Sequence, residues 1–413
     1  MYYLLFTFYL AIVCLVINRN RFIKSTGLTD AAIMGLFLLK IAAGILIGWM
    51  FGRYYPQGND LWDLNDYGIK EYQVLVNDPT TFFTDIFYYN YTNDQTGFFS
   101  STASYWNDLE NNIIIKFLGF CNIFSRGNYY INSIFFNFFG FFGHVALYKI
   151  FIHIYADKKL FVIAGCFLLP SALFFSSGIS KDNIIFTLLC IFCYAVFFSL
   201  KNGFTKKRIC ITIVCYTGIL LIRNYVAIVM IPGLIAWWLC SKYSFGKLKT
   251  FSVTYFITAA LLVMLPFLNP SLNAAKVIAQ KQQDFFALGK ANTQIETDTI
   301  SATVPGLLKN APQAVNHGFL RPYIWEHNAV FSIAQALEII GYLLLLILYV
   351  FLQKRKNNVV NNFLPFIMIT SVIILLLNGY IVPNFNTLVR YRSIYLPFLL
   401  TPLLCQFSLS TKK

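Results

Sequence analysis

Apolar residues run along this chain in long uninterrupted stretches, without the short periodic segments of a water-soluble core. A helix that crosses a bilayer needs about 20 mostly apolar residues. Segments approaching that length recur near 2–17, 30–51, 129–154, 160–177, 183–200, 209–222, 225–240, 251–268, 330–352, 363–382 and 394–409. The pattern predicts an all-α polytopic integral membrane protein of about eleven transmembrane helices, forming a single transmembrane domain over 1–413. The first run lacks a basic leader and a small-residue cleavage site, so it is expected to be retained as an anchor, with the mature chain beginning at Met1.

Two segments break the alternation of apolar runs and short connections. Residues 52–128 and 269–329 are far longer than a helical connection requires, and long loops of mixed content tend to carry function. The first is acidic, with Asp60, Asp63, Asp66, Glu71, Asp78, Asp85, Asp94, Asp108 and Glu110 alongside Arg53 and Lys70. Its apolar stretch 113–124 is too short to span and predicts a juxtamembrane helix lying along the interface. The second loop predicts helices near 272–288 and 304–320, separated by polar residues 292–303, with Pro305 and Pro312 set to start or interrupt them.

Charge then fixes an expected orientation. With the N-terminus outside, the inner connections hold Arg19, Arg21 and Lys24; Lys158 and Lys159; Lys201, Lys206, Lys207 and Arg208; Lys242, Lys247 and Lys249; Lys354, Arg355 and Lys356; and Lys412 and Lys413. Asp157 is the one acid set against them, so the positive-inside tendency places the C-terminus in the cytoplasm. The net +15 then reports topology and contact with the anionic headgroups of membrane lipids, and no nucleic-acid partner is expected. All nine cysteines lie in or beside apolar runs and read as small buried hydrophobes.

Several polar stations fall on the opposite, outer face. Asp60, Asp63 and Asp66 recur every three residues, so on a helix they share one flank, raise one another's pKa and can share a proton or a cation. One of them is a candidate general base; the competing account is a solvated loop or a helix N-terminus dressed with Asp to suit its dipole. Lys181 and Asp182 open a span after a small-residue turn, where Lys181 can meet a lipid phosphate and Asp182 can cap the helix, or Lys181 can simply snorkel.

Arg223, Arg321, Arg390 and Arg392 also face outward, against the positive-inside tendency. Arginine binds phosphate bidentately, so these four suggest a site for an anionic headgroup, with Glu326, Glu338 and Asp182 as structural ion partners in the competing account. Lys40, near the middle of its span, must face a polar interior.

Gly58-Asn59-Asp60 followed by Tyr67, then Ser176-Ser-Gly-Ile-Ser-Lys-Asp182, Arg321-Pro-Tyr-Ile-Trp-Glu326 and Arg390-Tyr-Arg392, together resemble the GT-C superfamily of polyprenyl-phosphate-dependent membrane glycosyltransferases. The likeness is greatest to bacterial members with a Gly-x-Asp…Tyr first outer loop. It implies an acidic residue of that loop as catalytic base or metal ligand, with Mg or Mn as a possible cofactor, and basic residues holding the phosphate of a lipid-linked sugar. Carried over, Asp60 is the base and Arg390 or Arg392 the phosphate clamp. Lys181, Asp182, Arg223, Arg321 and Glu326 complete the substrate-binding set.

Two departures stand in the sequence: the usual Gly-Asp reads Gly-Asn-Asp, and the acidic loop follows the second span. Asp63 and Asp66 therefore remain eligible as the base. The resemblance implies an enzyme of a bacterial inner membrane that passes a sugar from a polyprenyl-phosphate donor to a glycan, lipid or protein acceptor. An oligosaccharide-repeat polymerase of O-antigen or exopolysaccharide type is the near rival, and a transporter or flippase of lipid-linked sugars is the rival from another class.

Overall fold

The computed structural model describes residues 1–55, 59–87, 105–243, 245–287, 293–326, 330–352 and 361–407. Gly58, Asp94, Asn292, His327, Lys354, Arg355, Lys356, Lys412 and Lys413 lie outside the described residues. The described chain is helical, with an isolated bridge between Gln294 and Asn384 and no strand. Eight helices among the described residues are long and apolar enough to cross a membrane: Tyr2–Arg19, Asp30–Tyr54, Tyr129–Ile154, Lys181–Asn202, Asn224–Tyr243, Lys247–Leu268, Phe331–Phe351 and Phe363–Ile381. The protein is an all-α polytopic membrane protein.

Three predicted spans are not single helices of that length. The segment at 209–222 is a 17-residue helix, Lys206–Ile222. The segment at 160–177 divides into Lys159–Phe167 and Pro170–Phe175. Pro170 has no amide hydrogen to continue the ladder, and it holds Leu169 in an extended conformation. Among the described residues the segment at 394–409 yields Leu396–Leu404, with Pro397 in its first turn and Pro402 inside it.

Helix starts follow side-chain capping, which satisfies amides that have no partner inside the helix. Thr29, Asn59, Asn128, Ser180, Thr205, Thr303 and Asn384 each accept from a backbone N–H of the first turn. Burial then separates central from peripheral spans. Tyr129–Ile154 is 72% buried and Lys181–Asn202 is 56% buried, whereas Tyr2–Arg19 is 11% and Lys247–Leu268 is 6%. The first pair forms the axis of the bundle, and the outer helices present Leu15, Phe256, Met264 and Phe267 to lipid.

The long loops are ordered where they are described. Asp60–Asn77 lies along Tyr105–Ser125, a helix that begins well before the predicted 113–124 stretch. An amide ladder ties both helices to the bundle. Asn132 Nδ2 donates to Asn65 Oδ1 (2.9 Å) and Asn122 Oδ1 (2.6 Å), while Asn65 Nδ2 donates to Gly127 O (3.2 Å). Lys116 adds a buried ion pair with Glu71 (2.7 Å) and Asp85.

The second loop forms Ala274–Ala287 and Val304–Val315, followed by a π-turn, Asn316–Leu320. Ile295 N–H donates to Pro383 O (2.8 Å) and Phe385 N–H to Thr293 O (3.0 Å), strapping this loop to the segment that carries Arg390 and Arg392. At the basic end, Asp30 is a second acid beside Asp157 and pairs with Lys24 (3.0 Å). Seven cysteines are buried as expected, but Cys14 is half-buried and Cys210 is exposed.

Candidate functional site

The helix Asp60–Asn77 buries Leu61, Leu64, Asn65 and Gly68 and leaves Asp60, Asp63 and Asp66 exposed on one flank, as their spacing predicts. Its first turn is held by Trp62, whose Nε1 donates to Gly48 O (3.0 Å) and whose ring stacks on Tyr129 with centroids 4.4 Å apart. Partial burial, then the charges of Asp60 and Asp66, raise the Asp63 carboxyl above its ordinary range. Asp63 and Asp66 make no ion pair among the described residues, whereas Asp60 accepts from Arg390 Nη1 (3.0 Å).

Opposite this flank lies the turn before Lys181. Gly178 takes φ +73°, which favours glycine, and its N–H donates to Asn137 Oδ1 (3.0 Å). Ser180 caps the next helix by accepting from Asn183 N–H (3.1 Å). Asp182, expected as the cap, is instead fully buried between Arg223 and Arg390, with one carboxylate oxygen on each. The cap position is one residue outside the helix, and Asp182 already lies inside its first turn. Lys181, expected to meet a lipid phosphate, pairs with Glu110 (2.6 Å).

The result is a continuous chain of charge. Exposed Asp60 contacts Arg390, Arg390 contacts buried Asp182, and Asp182 contacts Arg223. The Arg223 guanidinium donates to the Tyr225 hydroxyl (3.0 Å) and lies 3.8 Å over the Tyr391 ring. Burial acts to lower the pKa of Arg390, but Asp182 and Asp60 outweigh it and hold the guanidinium above its ordinary value. Four predicted residues, far apart in sequence, thus meet at one place. Only Asp60 of this group is solvent-facing, with a side chain 62% exposed.

A second group sits on the other side of the helix Phe385–Ser393. Residues two apart on a helix project to different faces, so Arg392 turns away from the Arg390 cluster and donates to Arg321 O (2.9 Å). Burial pulls the Arg392 guanidinium down to about 10, against the opposing pull of the Glu338 carboxylate and Tyr342. Arg321 pairs with Glu326 (2.8 Å) and faces His317 Nε2 (3.2 Å). Glu338, expected to neutralise an arginine, accepts from Ser171 N–H (2.9 Å) and from the Tyr342 hydroxyl. Arg392 also lines a largely apolar cleft of about 780 Å³, walled by Leu343, Leu346, Met368, Leu375 and Leu399.

Lys40 has a polar interior, as its depth requires. Its ammonium donates to Ser176 O and lies 3.4 Å from His144 Nε2, and His144 Nδ1 faces Cys166 O at 2.6 Å. His144 was not singled out from the sequence, although an ionisable residue deep in an apolar run is the same signal that marked Lys40. Glu110, Tyr225 and Tyr391 are given no role by the sequence; each is unremarkable until its arginine or lysine partner is known.

The described residues do not fit a divalent-cation site. Asp182 already faces two guanidinium groups, and Asp60 faces one, whose charge repels a cation. No group of three His, Cys, Asp or Glu side chains converges among the described residues.

The fold defines the class, an all-α polytopic membrane protein with ionised side chains gathered at one end of its bundle. Compared with family models, curated proteins and solved structures, the chain matches none.

Proposed function

We propose that this protein is a membrane glycosyltransferase of GT-C type. It moves a sugar from a polyprenyl-phosphate donor to a glycan, lipid or protein hydroxyl on the non-cytoplasmic face of a bacterial inner membrane. In this reading the chain crosses the bilayer about eleven times, with the helix Lys206–Ile222, the divided segment at 159–175 and the short helix Leu396–Leu404 counted as crossings. The N-terminus is then outside and the C-terminus cytoplasmic.

The observation that carries the reading is the joining of Asp60 to Arg390, on the same short helix as Arg392 in the wall of the cleft. The cleft suits an isoprenoid chain with Arg392 in its wall, and Arg390, on the Asp60 side of the same helix, suits the lipid phosphate at the reacting carbon. Asp60 is the one carboxylate of its flank that is both solvent-facing and held by a fixed partner, which favours it over Asp63 and Asp66 as the base. It accepts the proton of the acceptor hydroxyl as the acceptor oxygen bonds to the anomeric carbon. The bond from that carbon to the phosphate oxygen breaks, and the lipid phosphate leaves toward arginine. Direct displacement inverts the anomeric centre.

The test is release of polyprenyl phosphate from a polyprenyl-phosphate sugar by membranes containing the protein. Asp60→Asn lowers the rate by about 10²–10⁴-fold, and equal rates in the two membranes would remove the mechanism. A ladder of products, in place of one added sugar, would select the polymerase. A second reading, transport of lipid-linked sugars, draws on the divided segment at 159–175 beside deep Lys40 and His144. Sugar-lipid movement without bond cleavage would select it.

A further inference from the structure

The opposite end of the bundle holds a polar hollow that meets the long apolar cleft at Lys247 and Asn361, far from Asp60 and Arg390. It is about 450 Å³ in volume and is lined by His153, Lys201, Trp237, Ser241, Lys247 and Asn361, among others. No lining residue is acidic. Among the described residues Lys201 Nζ contacts His153 Nε2, and neither Lys201 nor Lys247 has a carboxylate partner there. Asn361 Oδ1 accepts from Phe363 N–H (2.8 Å), which leaves its amide nitrogen as a further donor. Cationic and amide donors around a hollow with no acceptor charge are complementary to a phosphate group.

Lys247 also lines an adjoining groove of about 500 Å³, whose other walls, Ser252 apart, are apolar or aromatic, including Leu248, Phe251, Tyr255, Ile369 and Ile373. That groove runs between Lys247–Leu268, the least buried of the spans, and Phe363–Ile381. A free anion would use the hollow and leave the groove empty. An amphiphile uses both, with its charge at Lys201 and Lys247 and an acyl chain along the groove. We propose that this is a binding site for an anionic phospholipid of the leaflet bordering the basic end. The inference does not depend on the glycosyltransferase reading.

The test uses the purified full-length chain in neutral detergent, titrated with phosphatidylglycerol, phosphatidylcholine or inorganic phosphate. Retained lipid is counted by native mass spectrometry, and melting is followed in parallel. The wild type is expected to retain phosphatidylglycerol saturably and in preference to phosphatidylcholine, with no stabilisation by inorganic phosphate. Each basic side chain near a bilayer surface contributes about a fivefold gain in affinity for anionic lipid, so Lys201→Gln with Lys247→Gln should weaken binding by roughly 30-fold. Lys206→Gln with Lys207→Gln, at the same end and outside the hollow, should leave it unchanged. No preference in the wild type overturns the proposal whether or not the variants fold. An equal loss in the Lys206 and Lys207 variant reduces it to surface attraction, and full stabilisation by inorganic phosphate reduces it to a free-anion site.

Discussion

Asp60 and Asp182 share Arg390, yet removing their charges has different consequences because one is in water and the other is not. Asp182 is fully buried between two guanidinium groups. Asp182→Asn strands those charges and should cost about 3–5 kcal/mol, read as lost folded protein or a lowered melting temperature in detergent. Asp60 is mostly exposed and screened, so Asp60→Asn should cost less than about 1 kcal/mol in the same measurement. His317 gives a pH test. Burial first, then Arg321, lower its pKa from 6.5 to about 4, so the folded state prefers the neutral ring. The unfolded chain binds the proton first as pH falls, so stability should decline from pH 6.5 toward about 4. His317→Gln should flatten that part of the melting profile, and an unchanged slope would contradict the assignment.

At the scale of elements, the docking of the second loop depends on two glycines in close approach. A Cβ on Gly379 would lie 2.0 Å from Ala314 O, and one on Gly318 would lie 2.4 Å from Leu375 O. Backbone cannot yield as a side-chain tip can, so Gly379→Ala should push Val304–Leu320 away from Phe363–Ile381 at a cost of about 1–3 kcal/mol, measured by thermal melting. The same scale shows what the sequence made legible. Long spans such as Asp30–Tyr54 and Phe363–Ile381 were readable because bilayer thickness sets their length. The divided segment at 159–175 was less so, because Pro170 interrupts a run whose hydropathy continues through the break. In the second loop, Pro305 sits in the first turn of Val304–Val315, where proline chemistry places it, whereas Pro312 lies inside that helix without interrupting it.

For the whole molecule, the outer stations could be named from sequence but their pairings could not. Hydropathy and charge place Asp182, Arg223 and Arg390 on one face; only tertiary packing decides that the first becomes the shared counter-ion of the other two. In the proposed reading that pairing gives Asp182 and Arg223 the task of holding the site and Asp60, with Arg390 behind it, the reacting one. Lys181 and Glu110 sit nearby as a separate pair, and Arg392 faces the cleft on the other side of its helix. The proposed transfer requires all of this to serve a sugar-lipid substrate. The most direct measurement is the surface glycan and lipid-linked sugar content of cells carrying Asp60→Asn, against wild type at equal protein level. The account predicts truncated glycan with the donor delivered but unused; unchanged glycan and no accumulated donor would contradict it.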